Sequence, residues 1–163
     1  MLGLVEVLEP ATPYALKQFA GISVFNFWTL PHTQVYTECS RLAAAGYLTE
    51  DRESEGRRRR IYRLTDEGRA ALDRWRSSAD DNRLEYRDEA MLKLFFGAPA
   101  PELAETELAA HAGRLEEYET LHRDGPKMAA GMRLALEAGI ALEREYVRFW
   151  ERVREQARAA AGR

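Results

Sequence analysis

One cysteine, three histidines and six prolines are all that 163 residues hold of those types. A lone cysteine, Cys39, cannot close an internal disulfide, which fits a reducing compartment. No apolar run is long enough to cross a bilayer and no basic-then-apolar leader is seen, so a cytoplasmic protein with no membrane partner is expected. Glycine-rich phosphate loops and nucleophile motifs are missing too, and Glu143 and Glu145 make no catalytic pair by sequence alone. His111 and His122 fall on one helical face but eleven residues apart, about 16 Å along a helix, so one helix cannot offer both to one metal. Satisfied or interfacial histidines are the expected reading, with a pH or metal role as the alternative. Cys39 likewise fits a core position, with redox sensing as its alternative. No enzyme, no catalytic residue, no metal and no cofactor are expected.

An excess of positive charge is also lacking. The formal net charge is −3, which argues against non-specific polyanion binding by the whole surface. The distribution is uneven. Residues 1–78 carry 11 basic against 10 acidic side chains, and residues 79–163 carry 13 against 17. Within the first part, "SEGRRRRIYRLT" sets Arg57 to Arg60 in a row, directly before an alternating apolar run.

Leu2, Leu4, Val5, Val7 and Leu8 fit a short helix or a strand, ended by Pro10. Thr12, Pro13 and Gly21 mark the cap, first position and stop of a helix whose inner side chains are expected to be Tyr14, Leu16 and Phe19. A second helix is expected over residues 31–45, opening at Pro31 and ending at Gly46, with Val35, Cys39, Leu42 and Ala43 as its buried stripe. Two extended runs around Gly56 predict a β-hairpin in which Ile61 and Leu64 hold the second strand to the core. Thr65 caps a third helix, with Asp66 and Glu67 in its first turn and Ala70 or Ala71, Leu72 and Trp75 inward. The rest is expected to be all-helical, broken at "APAP" and "DGP" and closed by a long helix over roughly residues 127–160. That helix carries two adjacent apolar stripes, wide enough for packing inside the chain and on a partner chain. A monomeric helical bundle is the alternative; where the helix packs on a second copy, as the resemblance given below implies, Met132, Leu136, Ile140, Leu142, Phe149 and Val153 are the expected dimer interface.

Helices followed by a two-stranded hairpin describe a winged helix-turn-helix. The fold class is therefore mainly α: a winged helix-turn-helix at 1–78, then a helical dimerisation and effector domain at 79–163. In such a fold the second helix of the pair enters the major groove, where base edges carry a readable code. Thr33, Gln34, Tyr36, Thr37 and Ser40 are the outward side chains expected to meet double-stranded DNA. Arg57, Arg58, Arg59 and Arg60 are expected to neutralise phosphates, so that affinity falls with salt. Strand alternation points Arg58 and Arg60 one way and Arg57 and Arg59 the other. Two of the four are left for the sheet surface or for ion pairs with Glu50, Asp51, Glu53 or Glu55. An effector pocket is expected where the two halves meet, with Trp28, Phe96, Tyr146 and Trp150 as lining, and ordinary core packing as the alternative for each.

The whole pattern resembles the PadR family of bacterial transcriptional regulators. The matching stretches are "MLGLVEVLEPATPYALKQF", Trp28, "QVY" at Gln34–Tyr36, "RLAAAGYL" at Arg41–Leu48 and "GRRRRIYRLTDEGRAAL" at Gly56–Leu72. "MLKLFFG" and "RLALEAGIALEREYVRFWERV" resemble the larger subclass with a helical C-terminal part. The resemblance implies a homodimeric, ligand-responsive regulator, usually a repressor, on a roughly palindromic operator. It also implies a small-molecule effector of unknown identity; family members respond to varied compounds, phenolic acids among them. The chain departs from the family pattern at Pro13, where glycine is common, and at Thr37, Glu38, Cys39 and Ser40, where Pro-Thr-Leu-Lys is common. Glu38 puts a negative charge near the reading face. There it either accepts from a cytosine amino group or repels phosphate, and together with the net acidity it supports the alternative function, a winged-helix protein–protein adaptor without DNA binding.

Overall fold

In the computed structural model of the chain, which describes residues 1–24, 27–28, 34–52, 59–79 and 87–161, the ambiguous opening run is a helix. This α1 (Leu2–Leu8) turns Leu4 and Val5 inward. Thr12 caps α2 (Pro13–Gly21), its hydroxyl accepting from the Ala15 N–H at 3.2 Å, with Pro13 at the first position. Leu16 and Ala20, one turn apart, are fully buried. Tyr14 is exposed instead of buried, because residues two apart on a helix do not share a face. Phe19 packs half-buried against the same core.

Val35, Cys39 and Leu42 form the buried stripe of α3 (Gln34–Ala44), as the spacing predicts. The helix ends at Gly46, whose φ of +80° only glycine adopts readily. The Gly46 and Tyr47 N–H groups donate back to the Ala43 and Leu42 carbonyls, both at 3.0 Å. The chain then enters β1 (Leu48–Arg52), which pairs antiparallel with β2 (Arg60–Leu64); Leu48 faces Leu64 and Glu50 faces Tyr62.

The alternation corrects the expected core contacts of β2. Arg60, Tyr62 and Leu64 share one face, so Tyr62 joins Leu64 in the core while Ile61 is half-buried on the other side. Positions 61 and 64 differ by an odd number and cannot share a face of a strand. Ala11 also exchanges two backbone hydrogen bonds with Tyr62, at 3.0 and 2.8 Å, adding a one-residue third edge.

The Thr65 hydroxyl accepts from the Gly68 N–H at 3.0 Å and opens α4 (Asp66–Ser77), with Asp66 and Glu67 in the favourable first turn. Leu72 is buried, but Trp75 is 70% exposed rather than inward. Trp75 keeps the spacing of the stripe after Gly68 and Leu72 and is nonetheless exposed. That core joins Leu4, Val5, Leu16, Val35, Cys39, Tyr62 and their neighbours in one cluster.

Chain contacts divide the protein into two units, Met1–Asn82 and Arg83–Arg163. The first is the winged helix-turn-helix. In the second, the Asp88 carboxylate accepts from the Met91 N–H at 2.9 Å and caps α5 (Glu89–Phe95). Two long helices follow, α6 (Ala100–Asp124) and α7 (Ala130–Ala161). They run antiparallel: Arg158 meets Glu105, Arg144 meets Glu119 and His122 meets Glu137. Ala90, Ala104 and the fully buried Trp150 form the centre of this unit. Among the described residues, no helix is long and apolar enough to cross a membrane.

Candidate nucleic-acid interface

Burial of Val35, Cys39 and Leu42 fixes which side of α3 faces outward. Gln34, Tyr36 and Thr37 are exposed, and Ser40 is half-buried at the edge of the same face. The start of α2 and the strand β2 flank this face. Thr12, Tyr14, Tyr36, Thr37, Ser40, Arg59 and Arg60 line a single open cleft of about 800 Å³. The structure thus brings together five of the nine side chains expected to meet DNA. Gln34 lies on the same helix, one turn before Thr37 and outside the cleft lining. Thr33, Arg57 and Arg58 lie outside the described residues, as does Gly56.

Tyr14 is the member that sequence reasoning assigned to the core. The signal was present in the period of α2: Leu16 and Ala20 already define the inner stripe, which leaves Tyr14 on the far side.

Arg59 and Arg60 both line the cleft. Arg59 is exposed at the cleft. Arg60 donates from Nη1 to Ser40 Oγ at 3.0 Å, and its Nε lies 3.7 Å from Glu50 Oε1. Glu50 also accepts from the Tyr62 hydroxyl at 2.8 Å and from Arg52 Nε at 3.0 Å. The Tyr62 hydroxyl holds the Glu50 carboxyl below the usual carboxylate range; burial pulls the other way, and Arg52 and Arg60 add to the depression.

Glu38 is not an open negative charge on the reading face. Arg41, one turn on, grips both its oxygens, at 2.8 and 2.7 Å. That fork, opposed by partial burial, lowers the Glu38 pKa. The bidentate geometry is one that a guanidinium makes well and an ammonium does not. Cys39 is fully buried, and desolvation pushes its thiol up to about 11. It stays protonated at neutral pH, which removes the thiolate that redox chemistry needs.

In the second unit, His111 Nδ1 lies 2.5 Å from Glu143 Oε2, and Glu143 Oε1 accepts from Arg114 at 3.1 Å. The His111 ring stacks on Tyr146 with centroids 4.3 Å apart. His111 is therefore a satisfied histidine, and its partner Glu143 is the one buried charged residue among those described. No local spacing announces that pair, since the two lie 32 residues apart. Among the described residues, no group of three or more potential ligands is placed to hold a metal.

Of the expected effector-pocket residues, Tyr146 and Trp150 share the second core. Trp28 is exposed on the first unit, and Phe96 is exposed on the second, edge-on to Phe95. Of the expected interface residues, Ile140 is buried within the single chain. Met132, Leu136, Phe149 and Val153 are half-buried, and Leu142 is 58% exposed. Leu134, which the stripes did not include, is 64% exposed.

A winged helix-turn-helix joined to a unit of two long helices is an architecture of DNA-binding transcriptional regulators. Residues 1–74 match the Transcriptional regulator PadR-like family, and residues 86–158 match Virulence activator alpha C-term. Together the two matches pair a PadR-like first part with the helical C-terminal part of the larger PadR subclass. The negative transcriptional regulator PadR of Bacillus subtilis (strain 168) is 25% identical over 169 residues, covering 94% of this chain and 92% of that protein. The crystal structure of Bacillus subtilis PadR in complex with operator DNA has a TM-score of 0.77 at 23% identity, over 90% of this chain and 89% of that one. PadR in complex with p-coumaric acid has a TM-score of 0.69 at 22% identity, over 90% of each chain.

Proposed function

We propose that this regulator is a homodimeric, ligand-responsive repressor that binds a roughly palindromic operator. The observation that carries the reading is the shared cleft of Tyr14, Tyr36, Thr37, Ser40, Arg59 and Arg60 on the outward side of α3. It combines hydrogen-bonding groups suited to base edges with the arginine charge of the wing beside them, which is the arrangement of a DNA-reading surface. The PadR relative is described as a negative regulator, and its fold is solved with operator DNA and with p-coumaric acid. Those descriptions support repression and an aromatic-acid type of effector for this chain.

In this reading two α3 helices, one from each protomer, sit in successive major grooves about 34 Å apart. The effector binds the DNA-competent and DNA-incompetent states unequally and so shifts their populations. The helical unit at 79–163 carries the dimer contact, and the winged unit at 1–78 carries the DNA contact. An adaptor without DNA binding loses its support in Glu38, whose charge is met by Arg41.

The test is fluorescence-anisotropy titration of the full chain against duplexes enriched from a random-sequence library, over a salt series. The expected result is saturable binding with a steep negative dependence on salt, flattened when Arg57 to Arg60 become alanine. No saturable binding at low salt to any enriched duplex would remove the DNA-binding reading and favour the adaptor.

A further inference from the structure

Position 60 in the arginine run is wired into the protein. Arg60 donates to Ser40 Oγ on α3 at 3.0 Å and lies 3.7 Å from Glu50 on β1. Glu50 in turn holds the hydroxyl of Tyr62, a fully buried side chain of the first core. One guanidinium thus bridges the base of the wing and the outward edge of α3, and Tyr62 anchors the bridge to the core. A planar fork of donors can serve two acceptors at once, which an ammonium does less well.

Moving Arg60 onto a phosphate would strip Glu50 of one of the two arginine partners it has among the described residues. The Glu50 side chain is only 19% exposed, and a largely buried carboxylate short of counter-charge is costly. Ser40 sharpens the point. A lysine here would carry no acceptor and would repel Arg60; serine accepts its hydrogen bond.

We propose that Arg60 is a positioning residue and not a phosphate contact. With Glu50 and Ser40 it fixes the wing against α3, so that wing cations and reading side chains meet DNA in one register. The phosphate contacts belong to the rest of the run. This inference rests on the DNA-binding reading above and assigns separate roles within it.

The salt dependence of binding separates the roles, measured on the full chain with an enriched duplex and with a scrambled duplex. Alanine at Arg57, Arg58 and Arg59 together is expected to flatten the log K against log salt slope by about 0.9 for each phosphate no longer neutralised. Arg60→Ala is expected to leave the slope unchanged while cutting the enriched-to-scrambled affinity ratio by about tenfold, a mid-range value for coupled neighbours. Ser40→Ala should cut the ratio too, and the double variant should be no worse than Arg60→Ala by more than about twofold. A slope flattened by about 0.9 in Arg60→Ala alone, or Ser40 and Arg60 effects that simply multiply, would overturn the proposal.

A DNA-free readout keeps the bridge separate from the function. Nitrogen-15 NMR of the free chain should show resolved, slowly rotating Arg60 guanidinium signals that average on Glu50→Gln. Averaged signals in the wild type would overturn the bridge whether or not DNA binds. Resolved signals with no duplex enriched would sustain the bridge and reject the DNA-binding reading.

Discussion

Gly68 is where the first turn of α4 meets the turn that ends α3. A Cβ built there would stand 2.1 Å from the Tyr47 carbonyl oxygen, far inside contact distance. Gly68→Ala must therefore push α4 away from the Tyr47 turn, at a cost of about 1–3 kcal/mol. Chemical unfolding of the full chain should show that loss, with the secondary structure intact before the transition. Glu9 acts at the same corner, accepting from the Leu64 N–H at 2.9 Å and from Arg69 at 2.7 Å. The Arg69 hydrogen bond is the main reason its pKa falls below the ordinary 4.5; burial opposes this and the Leu64 N–H adds to it. A depressed carboxylate contributes stability that is present above its unfolded pKa and lost as pH falls through the lower folded value. Glu50 adds to the same acid limb. Glu9→Gln should lower Tm at neutral pH and shrink the drop in Tm between about pH 6 and about pH 3. An unchanged drop would show that Glu9 is not one of the groups that titrate. At this scale the caps were legible, since Thr12, Thr65 and Gly46 each carry their mechanism in the residue type. The Gly68 contact was not, because it depends on a backbone carbonyl that only the fold brings near.

Among the elements, α3 was the most readable, because the i, i+4, i+7 spacing of Val35, Cys39 and Leu42 leaves one choice of inner face. The wing was less so. Its existence follows from the alternating runs, but an inward pair of Ile61 and Leu64 breaks the strand parity, which places Tyr62 beside Leu64. Ala11, a single residue between Pro10 and Thr12, has no periodicity with which to announce its pairing to Tyr62. Trp75 shows the converse: its spacing after Gly68 and Leu72 fits the inner stripe, yet it is exposed, so spacing alone does not fix burial at the end of a helix. In α6 and α7 the apolar stripes announced the packing, whereas the pair across it was silent in the sequence. Glu143 is 6% exposed and holds both His111 and Arg114. Glu143→Gln keeps the shape and removes the charge, so it should cost about 1–3 kcal/mol in unfolding experiments. A variant as stable as the wild type would show that the network contributes nothing to the helical hairpin.

For the whole molecule, the two-part order was legible from the change from a helix-and-hairpin pattern to an all-helical one and from the family pattern. What the second unit docks on was not, since a helix stripe has the same spacing whether its partner lies in the same chain or in another. The exposed Leu134 and Leu142 are the large apolar side chains of α7 that the single chain leaves uncovered. Replacing both with glutamate should halve the sedimenting mass at micromolar concentration without loss of helix content, if the proposed dimer forms through α7. A wild type that sediments as a monomer would remove the dimer. The central claim, that two winged units read one operator as a symmetric pair, is tested most directly by hydroxyl-radical footprinting on an enriched duplex. The account predicts two equivalent protected patches whose centres lie about one helical turn apart, roughly 10 base pairs or a multiple of it. A single protected patch, or uniform weak protection along the duplex, would contradict it.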